Sequence, residues 1–122
     1  MDYLLALVGP FFLLLVESVL PYPYLVEEVF KFFLAKSTTS VKSAIYLGIL
    51  FSLSEAFFYL MNPNFSLLTM NYSFGVRLLA VTPMHISTIL IMQYFQKKKL
   101  WPIGLILAIL IHYLFNLVGS GL

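Results

Sequence analysis

Trp101-Pro102-Ile103-Gly104-Leu105-Ile106-Leu107-Ala108-Ile109-Leu110-Ile111-His112-Tyr113-Leu114-Phe115-Asn116-Leu117-Val118 runs for 18 residues without an Asp, Glu, Lys or Arg. Wound as a helix it measures about 27 Å, close to the roughly 30 Å hydrocarbon core of a bilayer. Pro102 sits in the first turn, where a missing N–H costs nothing, and Gly119 follows the end. This is the pattern of a membrane helix, and it carries His112 and Asn116 within it. The remainder of the chain has the same character. Of its 122 residues 61% are hydrophobic, 17% aromatic and only 10% charged, with a mean hydropathy of +0.98, against roughly 25% charged residues in a soluble domain. The fold class this predicts is all-α: an integral membrane bundle of about five helices, one of them short, forming a single transmembrane domain over residues 1–122.

Four further apolar stretches precede the quoted one. Tyr3 to Leu20 lacks a basic leader and a small-residue cleavage site, so it reads as a retained helix. Pro21-Tyr22-Pro23-Tyr24 breaks the chain. Leu25 to Ala35 is the short element, about 16 Å long as a helix. Lys36 to Lys42 is a polar turn in which Ser40 suits an N-cap for a third helix reaching about Met61. Asn62-Pro63-Asn64 closes that helix, Phe65 to Phe74 is expected as an interfacial loop or a short helix lying flat, and the whole of Asn62 to Phe74 as a lid above the polar groups. A fourth helix is expected from about Gly75 to Phe95, followed by Lys97-Lys98-Lys99.

Charge sets direction and excludes partners. The net charge is only +2, and the seven Lys and Arg form flanking groups with no basic face, so a nucleic-acid partner is excluded. The absence of cysteine removes disulfides, thiolate metal sites and cysteine nucleophiles. Lys36 and Lys42 fall in one loop and Lys97 to Lys99 in another, while the Pro21 to Tyr24 turn and the Asn62 to Phe74 loop have no Lys or Arg. The positive-inside rule then puts both basic loops in the cytoplasm, the N-terminus inside and the C-terminus outside. The expected location is the plasma membrane of a prokaryote.

Polar groups inside apolar helices are costly, about 2.5 to 3.5 kcal/mol for a charge at mid-span, and so usually pair, line a cavity or carry function. Glu27, Glu28, Lys31, Glu55, His85, His112 and Asn116 are such groups, with Glu17 near an interface and Arg77 at a helix start. Counted from the outer boundary, the Glu27-Glu28 pair, Glu55, His85 and His112 lie roughly 6, 9, 15 and 9 Å deep. Four helices thus bring polar groups to one layer in the outer half of the bilayer. Glu27 and Lys31 share a helix face, with Glu28 about 100° around from Glu27, so Lys31 can neutralise one carboxylate and leave the other available. Gly104, Ala108, His112 and Asn116 form a stripe whose small members admit a neighbouring helix.

In sequence order these groups read as E-E-x-x-K (Glu27, Glu28, Lys31), F-x-x-x-E with a following tyrosine (Phe51, Glu55, Tyr59), a lone His85, and H-x-x-x-N (His112, Asn116). The series resembles the PrsW family of intramembrane proteases, within the wider group of CAAX-prenyl endopeptidases and Abi proteins, over about Glu27 to Asn116. Ala56 stands where that family often has Asn, and the chain is short enough to suggest a partner or a homodimer. The resemblance implies hydrolysis of a membrane-embedded or membrane-anchored peptide by glutamate-activated water. Glu27, Glu28, His85 and His112 are the expected catalytic residues, and Lys31, Glu55, Tyr59 and Asn116 the supporting ones.

Read as chemistry, a carboxylate base suits a chain in which no serine has a base at helical spacing. Either Glu27 or Glu28 fills that role, and Asn116 or a histidine can stabilise an oxyanion. A metal-free site is favoured; the variant is zinc held by His85, His112 and Glu27, although no H-E-x-x-H is present. The alternative from another class is a non-catalytic membrane scaffold or substrate-binding module built on the same polar centre. A proton relay and a bis-histidine haem site rank below both. The topology has a direct check: a cysteine introduced at Ser66 is expected to react with an impermeant thiol reagent from outside, and labelling from the cytoplasm alone would reverse the orientation.

Overall fold

The computed structural model describes the backbone of residues 2–17, 19–61 and 67–120. Among these, the side chains of Asp2, Leu14, Glu17, Pro23, residues 58–61 and 67–74, Arg77 and Ser120 fall outside the described set, so the expected role of Tyr59 and the placements of Glu17 and Arg77 lie outside the described residues. The described chain is five helices with no strand: α1 (Asp2–Glu17), α2 (Pro23–Ser37), α3 (Val41–Met61), α4 (Leu67–Lys97) and α5 (Trp101–Ser120).

Three elements differ in extent from those expected; α1 ends at Glu17, short of Leu20, before the Pro21–Pro23 break. The short element is longer at both ends, because Pro23 supplies a helix-ready φ at the first turn and the last turn finds hydroxyl partners. Ser37 Oγ donates to the Leu34 carbonyl at 2.6 Å and Thr38 Oγ1 to that of Ala35 at 2.7 Å. At 15 residues α2 reaches about 22 Å. The third difference is larger: α4 begins at Leu67, so most of the segment expected as a loop or lid belongs to one 31-residue helix. No proline or charged residue separates Leu67 from Gly75, and a single glycine costs only about 1 kcal/mol in a helix. The rest of that lid, residues 62–66, lies outside the described residues. Ser40 caps α3 as expected, its Oγ accepting from the Ser43 N–H at 3.1 Å.

Between α4 and α5 the chain reverses in a tight turn. Leu100 N–H donates to the Phe95 carbonyl at 2.8 Å and Lys99 N–H to that of Gln96 at 3.0 Å, with Lys99 left-handed at φ 59°. These are the paired bonds of a Schellman ending, with lysine in the place glycine usually takes.

In the packing, α2 sits against α1, α4 and α5, while α3 packs on α1 and α4. Phe32, Ala35, Leu47, Phe51, Ile89, Met92 and Ala108 form much of the apolar core. The closest approach of α3 to α4 is at Gly48, where a Cβ would lie 2.8 Å from the Ile86 Cα and 2.9 Å from its backbone nitrogen. Gly104 and Ala108 make a corresponding buried strip on α5, facing Met92 and Phe95 of α4 at Gly104.

The α2–α3 connection and the α4–α5 turn lie at the same end. Gln93 Nε2 donates to Thr38 Oγ1 at 2.7 Å and to the Ser40 carbonyl at 3.0 Å, and Gln96 Nε2 to the Phe32 carbonyl at 3.2 Å. Lys36, Lys42 and Lys97 to Lys99 therefore share one end of the bundle. Large apolar side chains face outward, among them Phe12, Leu15, Leu79, Ile106 and Val118. Two helical segments, Leu78–Lys97 and Trp101–Gly119, are long and apolar enough to cross a membrane.

The Gly48 contact is backbone against backbone, so no side-chain rotation relieves it. Gly48→Leu is expected to cost about 1–3 kcal/mol by overpacking, read as a lower Tm in detergent. Lys99→Gly should raise Tm, since a non-glycine residue in the left-handed region costs on the order of 1 kcal/mol.

Candidate functional site

Four helices bring their polar side chains to one buried cluster. From α2 come Glu27, Glu28 and Lys31, spaced so that both carboxylates reach the lysine within one helical turn. Glu55 comes from α3, His85 and Thr88 from α4, and His112 from α5. Glu28, Lys31, His85 and Thr88 are fully buried; Glu27 and His112 are nearly so. Charged groups buried at this depth are retained only when paired and hydrogen-bonded.

Lys31 is the centre of the network. Its Nζ donates to Glu28 Oε1, to His85 Nδ1 at 2.8 Å and to Thr88 Oγ1 at 3.3 Å. It lies 3.2 Å from Glu27 Oε1 as an ion pair, yet that oxygen has no hydrogen bond of acceptable geometry among the described residues. The Phe51 ring lies below the ammonium, 5.2 Å from its centroid, adding a cation–π contact.

The partners assign the histidine tautomers. An ammonium can only donate, so His85 Nδ1 accepts from Lys31 and carries no proton. His85 Nε2 then donates to Glu55 Oε2 at 2.6 Å. His112 Nδ1 donates to Glu28 Oε1 at 2.6 Å, and its Nε2 has no hydrogen-bond partner among the described residues. The two imidazoles stand edge to face with centroids 5.9 Å apart, and Phe51 packs on His85 at 5.0 Å. Glu28 Oε1 therefore accepts from two donors, whereas Glu28 Oε2 is buried with no partner among the described residues.

The six residues expected in the polar layer, Glu27, Glu28, Lys31, Glu55, His85 and His112, are thus brought together. Asn116 is not among them: it lies one turn beyond His112 at an exposed position. The strip of Gly104, Ala108 and His112 is buried, and one turn further the same face of α5 is exposed. The metal set expected from sequence, His85 with His112 and Glu27, is replaced by two triads that share Glu27: one with Glu55 and His85, the other with Glu28 and His112, the ligand atoms in each lying within 4.8 Å of one another. Both ring nitrogens of His85 are engaged, by Lys31 and Glu55, while Glu27 Oε1 lies 3.4 Å from its Nδ1 and 3.8 Å from that of His112.

Sequence reasoning missed Thr88, Phe51 as a cation–π partner, and Tyr24, whose ring sits 6.2 Å from that of His112. Thr88 was accessible by spacing, being three residues after His85 on the same face. Tyr24 was not, because its contact depends on how α2 packs against α5. Comparison with protein-family models, curated proteins and solved structures finds no match for this chain.

The two glutamates of the pair are unequal, and stability measures the difference. Glu28→Gln removes the charge that holds both Lys31 and His112, and is expected to cost about 3–5 kcal/mol, as for a broken buried pair. Glu27→Gln leaves Lys31 its Glu28 partner and should change stability by no more than about 1 kcal/mol. Thermal unfolding of the two variants in detergent checks the order.

Proposed function

We propose that this chain is an integral membrane bundle and an intramembrane peptidase of the PrsW type. The observation that carries the reading is the convergence of two adjacent carboxylates and two histidines from separate apolar helices on one nearly buried point. The outward apolar surface and the five lysines at one end support insertion with that end in the cytoplasm. On this reading the cluster lies about 18 Å along α4 from Lys97, a little past the midplane of a roughly 30 Å hydrocarbon core that starts at the lysines. The substrate class is a peptide embedded in or anchored to the membrane.

Glu27 is the base. It is the less deeply buried of the pair and meets Lys31 only as an ion pair at 3.2 Å, whereas Glu28 Oε1 is occupied as the acceptor for Lys31 and His112. A water between Glu27 and His112 gives one proton to the Glu27 carboxylate and its other hydrogen bond to the His112 Nε2 lone pair. The hydroxide equivalent attacks the peptide carbonyl carbon. As the C–N bond breaks, Glu27 returns the proton to the amine nitrogen, so the products are a carboxylic acid and an amine and no group remains on the protein. Asn116, exposed one turn from His112, is the donor available to the oxyanion. His85 touches neither water nor substrate in this scheme. Clamped between Glu55 and Lys31, it positions the ammonium.

Cleavage of a membrane-anchored reporter by Glu27→Gln, beside its thermal unfolding, tests the mechanism. The expected result is loss of at least about a hundredfold in rate, the usual contribution of a positioned base, in a folded bundle. Full cleavage by Glu27→Gln sinks the glutamate-base mechanism, and a native chain that binds but does not cut the reporter returns the reading to a scaffold or substrate-binding module.

A further inference from the structure

The space around Lys31 Nζ is built like a metal cage. Three ligand-type atoms from two helices, Glu27 Oε1, Glu28 Oε1 and His85 Nδ1, lie within 3.2 Å of that single nitrogen, with Thr88 Oγ1 as a fourth donor atom at 3.3 Å. Two carboxylates and an imidazole converging on one point are a donor set that zinc and other first-row cations accept. Glu28 Oε2 is buried with no hydrogen-bond partner among the described residues, so the cage has acceptor capacity beyond what the lysine uses. An ammonium sits about 2.8 to 3.2 Å from its acceptors, whereas zinc takes oxygen and nitrogen ligands at about 2.0 to 2.2 Å. A contraction of about 1 Å, within the reach of flexible glutamate side chains, converts one geometry into the other.

We propose that Lys31 is a tethered internal cation that occupies the position of a divalent metal, and that its presence is what keeps the cluster from binding one. The covalent tether makes the positive charge permanent and independent of supply. The same ammonium excludes a second cation by repulsion, because an ion on Glu28 Oε1 or Glu27 Oε1 would lie in contact with it. This assignment concerns the cage alone and stands whether or not the chain cuts peptides. The two failures are therefore distinguishable.

The test replaces the lysine and offers the metal. Purified native chain, Lys31→Ala, Lys31→Arg and the double variant Lys31→Ala/His85→Ala are titrated in detergent with zinc, read by thermal unfolding, and with cobalt(II), read by its visible d–d absorbance. Ligand binding to the folded state raises Tm with metal concentration. Lys31→Ala is expected to bind zinc at least about tenfold more tightly than the native chain, to gain Tm with zinc, and to show cobalt absorbance of low-symmetry nitrogen–oxygen ligation. Lys31→Arg, which keeps the cation, should stay as insensitive to zinc as the native chain, and the double variant, which loses a ligand but keeps Glu27, Glu28 and His112, should bind zinc more weakly than Lys31→Ala. Should Lys31→Ala fold only when zinc is present, the proposal is supported in its strongest form. Lys31→Ala that gains nothing from zinc, folded or unfolded, overturns it, as does a native chain that binds zinc as tightly as the variant.

Discussion

A lysine ammonium with no exposed surface, packed against two glutamates and an imidazole, is the constraint on which the rest of the bundle depends. Removing such a charge from water costs several kcal/mol per ion even after relaxation, and only close, well-directed partners offset that. Lys31 obtains them from its own helix and from α4. Its carboxylate partner Glu28 in turn takes a proton donor from α5, and His85 takes a carboxylate from α3. Each helix other than α1 thus contributes at least one group, and none of these groups is satisfied if its helix leaves.

Such a network gives direction to a fold that apolar contacts alone specify poorly. Between apolar helices in lipid there is no hydrophobic force favouring one arrangement, so close backbone packing and interhelical hydrogen bonds choose it. Both appear along α4. At Gly48 the α3 backbone meets Ile86, the residue after His85, and seven residues further along α3 Glu55 reaches His85. Toward the other end, Gln93 and Gln96 fasten α4 to the α2–α3 connection and to α2 itself. The glycine sets the distance between helices; the side-chain amides set their register.

The same network divides labour between two glutamates adjacent in sequence. Glu28 is fully buried and its Oε1 accepts from Lys31 and His112, while Glu27 meets Lys31 only as an ion pair and retains slight exposure. A helix turns about 100° per residue, so neighbours must face different surroundings. One is bonded across to α5 and the other is not.

Much of this was legible in the sequence. The helical class, the five apolar segments, the caps at Ser40 and Pro102 and the pairing of Lys31 with its two carboxylates all follow from local rules: helix periodicity, proline stereochemistry and the cost of charge in an apolar run. The common depth of Glu27, Glu28, Glu55, His85 and His112 was also readable, because rise per residue is nearly constant within a helix. What the sequence left open was orientation around each axis and the distance between axes. Hence it gave His85 and His112 equal parts in positioning one water, with zinc as the variant, where packing commits both nitrogens of His85 to Lys31 and Glu55. It likewise kept Asn116 in the cluster, where α5 turns it to the surface, and it stopped α4 short at Gly75. Local chemistry determined which residues must find partners; only the packing of four helices determined which partner each one found.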